Sequence, residues 1–147
     1  LMGLRIVITP ADLAWAKEAV DIAKWLFPNF CSEGVDTGFP ERGRHPFSDD
    51  HLVEVVIGRL WLEHFQRAER CNRNHSSYGC KHFAERWAGH YVCNAAFIAA
   101  AAGLGIVQKP CSLGSPNTVL AIKYSDWPQG CCYPHNKPGI ESVEVQG

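Results

Sequence analysis

The chain has 147 residues, of which 46% are hydrophobic and 20% charged, with a formal net charge of -1. A chain of this size buries about 68–70% of its unfolded surface around one core, so a single globular domain over 1–147 is expected and a disordered or fibrous chain is excluded. The near-zero charge excludes a general attraction for polyphosphate or an anionic membrane and leaves such roles to local patches.

Leu4 to Ile8 is rich in β-branched residues and reads as a short buried strand. Thr9, Pro10 and Asp12 then supply a hydroxyl cap, a proline at the first helical position and an acid three residues after the cap. Leu13, Ala16, Ala19, Val20, Ala23, Leu26 and Phe27 follow at helical spacing until Pro28 ends the pattern. Residues 28–47 hold three glycines and three prolines and read as a long loop, of a length that in a compact domain is functional or mobile or else conceals a hairpin.

Ser48, Asp49 and Asp50 cap a second helix with the stripe Leu52, Val53, Val56, Leu60, Trp61 and Phe65. The cluster Val53, Val55, Val56, Ile57 leaves a strand open as the alternative for its first turns. Ser76 or Ser77 caps a third helix carrying Phe83, Ala84, Trp87 and Ala88 on one face, and Gly89 stops it. His90 to Cys93 reads as extended, with Asn94 as the cap of an apolar helix Ala95 to Ala102 closed by Gly103 and Gly105. Thr118 to Tyr124 is the best late strand. Residues 126–147 are a Pro/Gly-rich tail with a terminal strand at Ser142 to Val145. The expected fold class is α+β: a helical core of about four helices with a small β-sheet.

Charge is uneven along the chain. From Glu33 to Glu63 seven acids face three arginines, whereas from Arg67 to Arg86 five basic residues face two acids. The seven cysteines are an odd number, and Leu1 to Ile8 is too short for a secretory leader, so a reducing, cytoplasmic setting is expected over a disulfide scaffold. Ala95 to Val107, the longest apolar run, falls short of the roughly 18 residues of a membrane span, so no membrane partner is expected.

The chemistry concentrates between Ser76 and Asn94. On a helix, Tyr78, Lys81, His82 and Glu85 share one face through offsets of three and four. Such a face can perform acid/base chemistry, with His82 moving a proton, Glu85 fixing its tautomer and Lys81 or Tyr78 steadying developing negative charge. The same spacing also describes a plain surface ion pair between Lys81 and Glu85. Ser76, Ser77, Cys80 and Cys93 are nearby nucleophiles, but no elbow or papain-like context surrounds them. Arg73, His75, Arg86, Tyr91 and Asn94 are the candidate binding residues around this face.

No cofactor is required by the pattern. Zinc is the alternative, through Cys71, His75, Cys80 and His82 or through Cys131, Cys132 and His135, although neither set has the spacing of a zinc knuckle. Nucleic acid is a further alternative, because Trp61, Phe65, Tyr78, Phe83, Trp87 and Tyr91 interleave with Arg67, Arg70, Arg73, Lys81 and Arg86 in the manner of single-strand binders.

Tyr78, Gly79, Lys81, His82, Ala84 and Glu85, followed by Gly89, Tyr91, Val92, Asn94, Phe97, Ile98 and Ala100, resemble a block in uncharacterised small proteins of phage, plasmid and integron-cassette contexts. The resemblance spans about thirty residues and implies an accessory protein of mobile-element origin, with no activity to carry over. The functional expectation is therefore a binding module that recognises a protein or small ligand in a cleft beside the 76–94 block. A small hydrolase-like enzyme using His82 and Glu85 and a single-stranded nucleic-acid binder are the alternatives. Homo-oligomerisation through the apolar Ala95 helix is also open.

Overall fold

The computed structural model describes residues 4–35, 45–124 and 140–147. In chain order the elements are strand β1 (Leu4–Ile8), helix α1 (Pro10–Leu26), a 3₁₀ turn (Asp49–His51) leading into helix α2 (Leu52–Leu62), helix α3 (Ser77–Ala88), helix α4 (Asn94–Gly103), and strands β2 (Gln108–Pro110), β3 (Thr118–Leu120) and β4 (Ile140–Val145). The fold is α+β, and among the described residues the strands are divided between two separate two-stranded sheets.

The core is built around α4. Its residues Asn94 through Ala102 are all buried, and α1, α2 and α3 each pack against it. Small side chains let these helices approach closely. A methyl on Gly103 would lie 2.5 Å from Ala19 Cβ, and one on Gly58 would lie 3.1 Å from Ala100 Cβ. Trp61 and Phe97, both without exposed surface and with ring centroids 5.7 Å apart, fill the space between α2 and α4. The apolar surface of α4 is thus used within the chain.

Local signals set the first helix. Thr9 Oγ1 accepts the Asp12 N–H at 3.2 Å while Asp12 Oδ2 accepts the Thr9 N–H at 2.9 Å, closing a capping box ahead of Pro10. In α2 the β-branched run is helical, not extended: Val55, Val56 and Ile57 are at most 3% exposed, and burial against α4 outweighs their weak helix propensity. β4 pairs in parallel with β1, from Leu4 opposite Ile140 to Ile8 opposite Val145.

The late strand is shorter than expected. Thr118–Leu120 pairs antiparallel with β2, and the chain then continues through Ala121 and Lys123, which bond to Ala68 and Gln66 at 2.8 Å. A bridge between Ser76 and Val119 fixes the start of α3 on this hairpin. In the long loop, Cys31 and Gly34 close a tight turn through two backbone hydrogen bonds of 2.9 and 3.1 Å. Residues 36–44 and 125–139 lie outside the described residues, and with them the expected ligands Cys131, Cys132 and His135.

Candidate functional site

Ser76 caps α3 by accepting the Gly79 N–H at 3.2 Å, and Gly89 ends it in the left-handed conformation with φ 63 and ψ 31. This sharp stop turns the chain back along the helix, so His90 to Cys93 runs beside the polar face of α3 before α4 begins. Tyr91 thereby covers Lys81 from outside, and the Val92 N–H reaches Glu85. Ser77, Cys80, Ala84, Trp87 and Ala88 occupy the opposite, buried face.

Glu85 is the hub. Its Oε1 accepts from Lys81 Nζ at 2.7 Å and from the Val92 N–H at 3.3 Å, and its Oε2 lies 3.0 Å from His82 Nδ1. Against an ionised carboxylate, Nδ1 is the donor, which leaves Nε2 of His82 as an acceptor on a side chain that is 41% exposed. Lys81 is only 5% exposed, so its pair with Glu85 is not the solvent pair that the spacing also allows. Its ammonium sits 5.2 Å from the Tyr78 ring centroid and 4.8 Å from that of Tyr91, in cation–π range of both. Tyr78 also meets His82 edge-on at 4.6 Å, and both tyrosines remain exposed at their outer edges.

A second cluster adjoins the first. Glu54, in the first turn of α2, is 6% exposed; its Oε1 accepts the Cys93 N–H at 2.6 Å and its Oε2 receives His51 Nδ1 at 2.5 Å. One ligand atom from each of His51, Glu54 and Cys93 lies within 4.8 Å of the other two, the one such group among the described residues that can hold a metal ion. No sequence pattern joins its members, because His51 and Glu54 sit at the start of α2 and Cys93 caps α4, about forty residues further on. The available signal was Glu54 itself, a carboxylate inside the apolar run Leu52 to Ile57.

Asn94 is the first residue of α4, not its cap. Cys93 is the cap, with extended φ -75 and ψ 156 and a sulfur that accepts the Ala96 N–H at 3.4 Å. Asn94 is thereby free to bond elsewhere. Its Nδ2 donates to the carbonyls of Glu33 and Pro116 at 3.0 and 3.3 Å and to Asn117 Oδ1 at 3.0 Å, while its Oδ1 accepts from Ser77 Oγ at 2.8 Å. Four internal partners leave it tying the loop turn, α3 and the β3 approach together beneath the site.

The expected metal set Cys71, His75, Cys80 and His82 is not gathered. Cys80 lies on the buried face of α3, 3.2 Å from Tyr124 Oη, whereas His82, two residues on, faces Glu85. His75 stacks on Tyr124 with centroids 4.3 Å apart, and the Cys71 sulfur points to the Val107 carbonyl at 3.8 Å. Arg73 and Arg86 are exposed, and Arg67 is tied to the Leu104 carbonyl. Of the six interleaved aromatics, only Tyr78 and Tyr91 are exposed; Trp61, Phe65 and Trp87 are buried and Phe83 packs against the core.

Burial pushes the Cys93 thiol from its ordinary 9.0 up to about 12; the Ala96 N–H opposes this and Glu54 adds to it. Burial likewise raises Cys80 to about 12, with its bond to Tyr124 opposing. The Tyr91 hydroxyl is raised by desolvation, Lys81 opposing. A raised folded-state value means that stability is whole below the unfolded thiol's 9.0 and is lost as the pH climbs towards 12, because only the unfolded chain releases these protons there. Urea midpoints are therefore expected to be flat from about pH 7 to 8.5 and to fall above about pH 9. At about pH 8, iodoacetamide is expected to label Cys71 well before Cys80 and Cys93, read by peptide mass spectrometry. Equal labelling of the three would show that the two buried thiols are not sequestered.

No family model, curated protein or solved structure matches the chain. No helix among the described residues is long and apolar enough to cross a membrane.

Proposed function

We propose that the protein is a binding module whose recognition surface is the patch made by Tyr78, His82 and Tyr91 over buried Lys81 and its partly buried partner Glu85. The observation that carries this reading is the arrangement of two half-exposed tyrosine rings around one buried ammonium, 5.2 and 4.8 Å away. Rings fixed in this way give contact area at little entropic cost, and His82 Nε2 adds a directed hydrogen-bond acceptor. The partner that fits is a protein segment or a small ligand with a flat apolar face and a hydrogen-bond donor. Phosphate backbones fit less well, because the Lys81 charge is already matched by Glu85 and Arg67 is bonded to a main-chain carbonyl.

The resemblance to mobile-element proteins would, on this reading, be a resemblance between binding sites, since Tyr78, Lys81, His82, Glu85 and Tyr91 all belong to the shared block. A cytoplasmic setting belongs to the same proposal: Cys31, Cys80 and Cys93 are buried free thiols that pack as small apolar groups. Zinc is not needed by this surface, but its ligand preferences match the adjoining His51, Glu54 and Cys93.

Amide chemical-shift mapping of a fragment library by NMR tests the reading. Hits are expected to perturb Tyr78, His82, Glu85 and Tyr91, and Tyr91→Ala is expected to weaken them about tenfold or more. Hits confined to the apolar groove of Ile22, Leu26, Ile106 and Val107, or unchanged by Tyr91→Ala, would overturn it. A second reading, acid/base catalysis, is favoured by the Glu85–His82 contact at 3.0 Å. It predicts turnover of bound ester fragments that disappears in His82→Gln while binding persists.

A further inference from the structure

We infer that His51, Glu54 and Cys93 bind a divalent transition-metal ion of the zinc class, at a site beside the recognition surface and independent of its proposed role. The three donors are an imidazole nitrogen, a carboxylate oxygen and a sulfur, all within 4.8 Å of one another. An ion with bonds of about 2.0–2.3 Å holds its donors roughly 3.3–3.8 Å apart, so small side-chain adjustments close the set. The donor types select the ion: calcium and magnesium want oxygen ligands, whereas a mixed nitrogen, oxygen and sulfur set suits zinc or cobalt.

The surroundings are those of a built site. Glu54 is 6% exposed, and its hydrogen bonds go to His51 and to the Cys93 N–H, with no lysine or arginine among them. Buried carboxylates are retained when they are paired or coordinate a metal. The two oxygens divide the work: Oε1 holds the backbone that positions Cys93, while Oε2 contacts His51 at 2.5 Å, a hydrogen bond that an ion seated between the two side chains would replace. The His51 ring is steadied by Phe47, with centroids 5.7 Å apart. The Ala96 N–H, at the start of α4, donates to the Cys93 sulfur at 3.4 Å and so fixes its position beside Glu54. On binding, the Cys93 S–H bond breaks, its proton goes to solvent and the sulfur's electron pair goes to the ion. Three protein donors leave a fourth position for water or a ligand, the ligand count of a reactive rather than a purely structural zinc.

The test uses the full chain stripped with chelator and reloaded with zinc or cobalt alone. One equivalent of zinc per chain is expected by native mass spectrometry, together with thiolate-to-cobalt charge-transfer absorption in the near ultraviolet. Cys93→Ser is expected to remove that band, and His51→Gln to weaken zinc binding about tenfold or more. The double variant Cys131→Ser/Cys132→Ser is expected to change neither. Gln keeps a side-chain donor for Glu54, and the melting temperature of the metal-free His51→Gln protein against that of the metal-free parent separates loss of metal from loss of fold. Failure to retain zinc, or zinc binding unchanged in His51→Gln, would overturn the inference. So would a cobalt band that survives Cys93→Ser or is lost with Cys131 and Cys132.

Discussion

Glu85→Ala is expected to cost about 3–5 kcal/mol of folding stability, the range for leaving a buried charge, here that of Lys81, without its partner. For a chain of this length that corresponds to a melting temperature lower by roughly 6–20 °C. Lys81 has 6% of its side chain exposed, and Glu85 supplies its carboxylate at 2.7 Å. Without it, the ammonium retains only the rings of Tyr78 and Tyr91, whose attraction is worth about 0.5–2 kcal/mol and cannot replace a carboxylate. The Val92 N–H loses its acceptor as well. The source of the cost is the stranded charge, and a double variant isolates it. Lys81→Met/Glu85→Gln removes both charges and keeps an oxygen for Val92, so it is expected to lose less than half as much as Glu85→Ala. Glu63, paired with Arg59 at 3.0 Å and about half exposed, is the control: Glu63→Ala is expected to stay within about 1 kcal/mol. Urea titrations of the four proteins decide the matter. A cost for Glu85→Ala as small as that of Glu63→Ala would mean that Lys81 reaches water and that the patch lacks its rigid floor.

The features legible in the sequence were those fixed by near neighbours. The capping box of Thr9 and Asp12, the start of α3 at Ser76 and its stop at Gly89 each involve residues a few positions apart, and each lies where expected. The shared face of Tyr78, Lys81, His82 and Glu85 follows from helix geometry alone. Burial of Lys81 was not legible, because the cover comes from Tyr91 after the chain has turned back at Gly89. β2 was missed because Gln108, Lys109 and Pro110 carry no strand pattern; only pairing with β3 makes them one. The start of α4 was misplaced by one residue, and the error had a functional consequence. Read as a cap, Asn94 would spend its side chain on the helix; with Cys93 capping, that side chain reaches Glu33, Pro116 and Asn117. The cluster of His51, Glu54 and Cys93 lay beyond spacing arguments altogether, since no local pattern joins His51 and Glu54 to Cys93.

Gly34→Ala is expected to destabilise the protein by about 3 kcal/mol or more, from overpacking and backbone strain together. The φ of Gly34 is +146, a conformation that side chains rarely adopt. A Cβ there would meet the Pro116 carbonyl oxygen at 2.0 Å, its carbon at 2.8 Å and Asn94 Nδ2 at 2.9 Å. Two of these atoms are backbone and cannot swing away as a flexible side chain would. Relief requires moving the Pro116 segment, and Val35 N–H is bonded to that same carbonyl at 3.0 Å. The third atom belongs to the amide that joins the loop to α4, so the displacement reaches the first turn of that helix beside Cys93. A matched substitution separates strain from the generic effect of adding a methyl. Gly79→Ala in α3 meets nothing closer than Ser76 Oγ at 3.8 Å. It should stabilise by up to about 1 kcal/mol through reduced unfolded-state entropy and better helix propensity. Denaturant midpoints that move in opposite directions for the two variants are the expected result. A neutral Gly34→Ala would show that the Cys31–Gly34 turn is not clamped against Pro116, and that Asn94 does not hold the loop to the helix that carries the site.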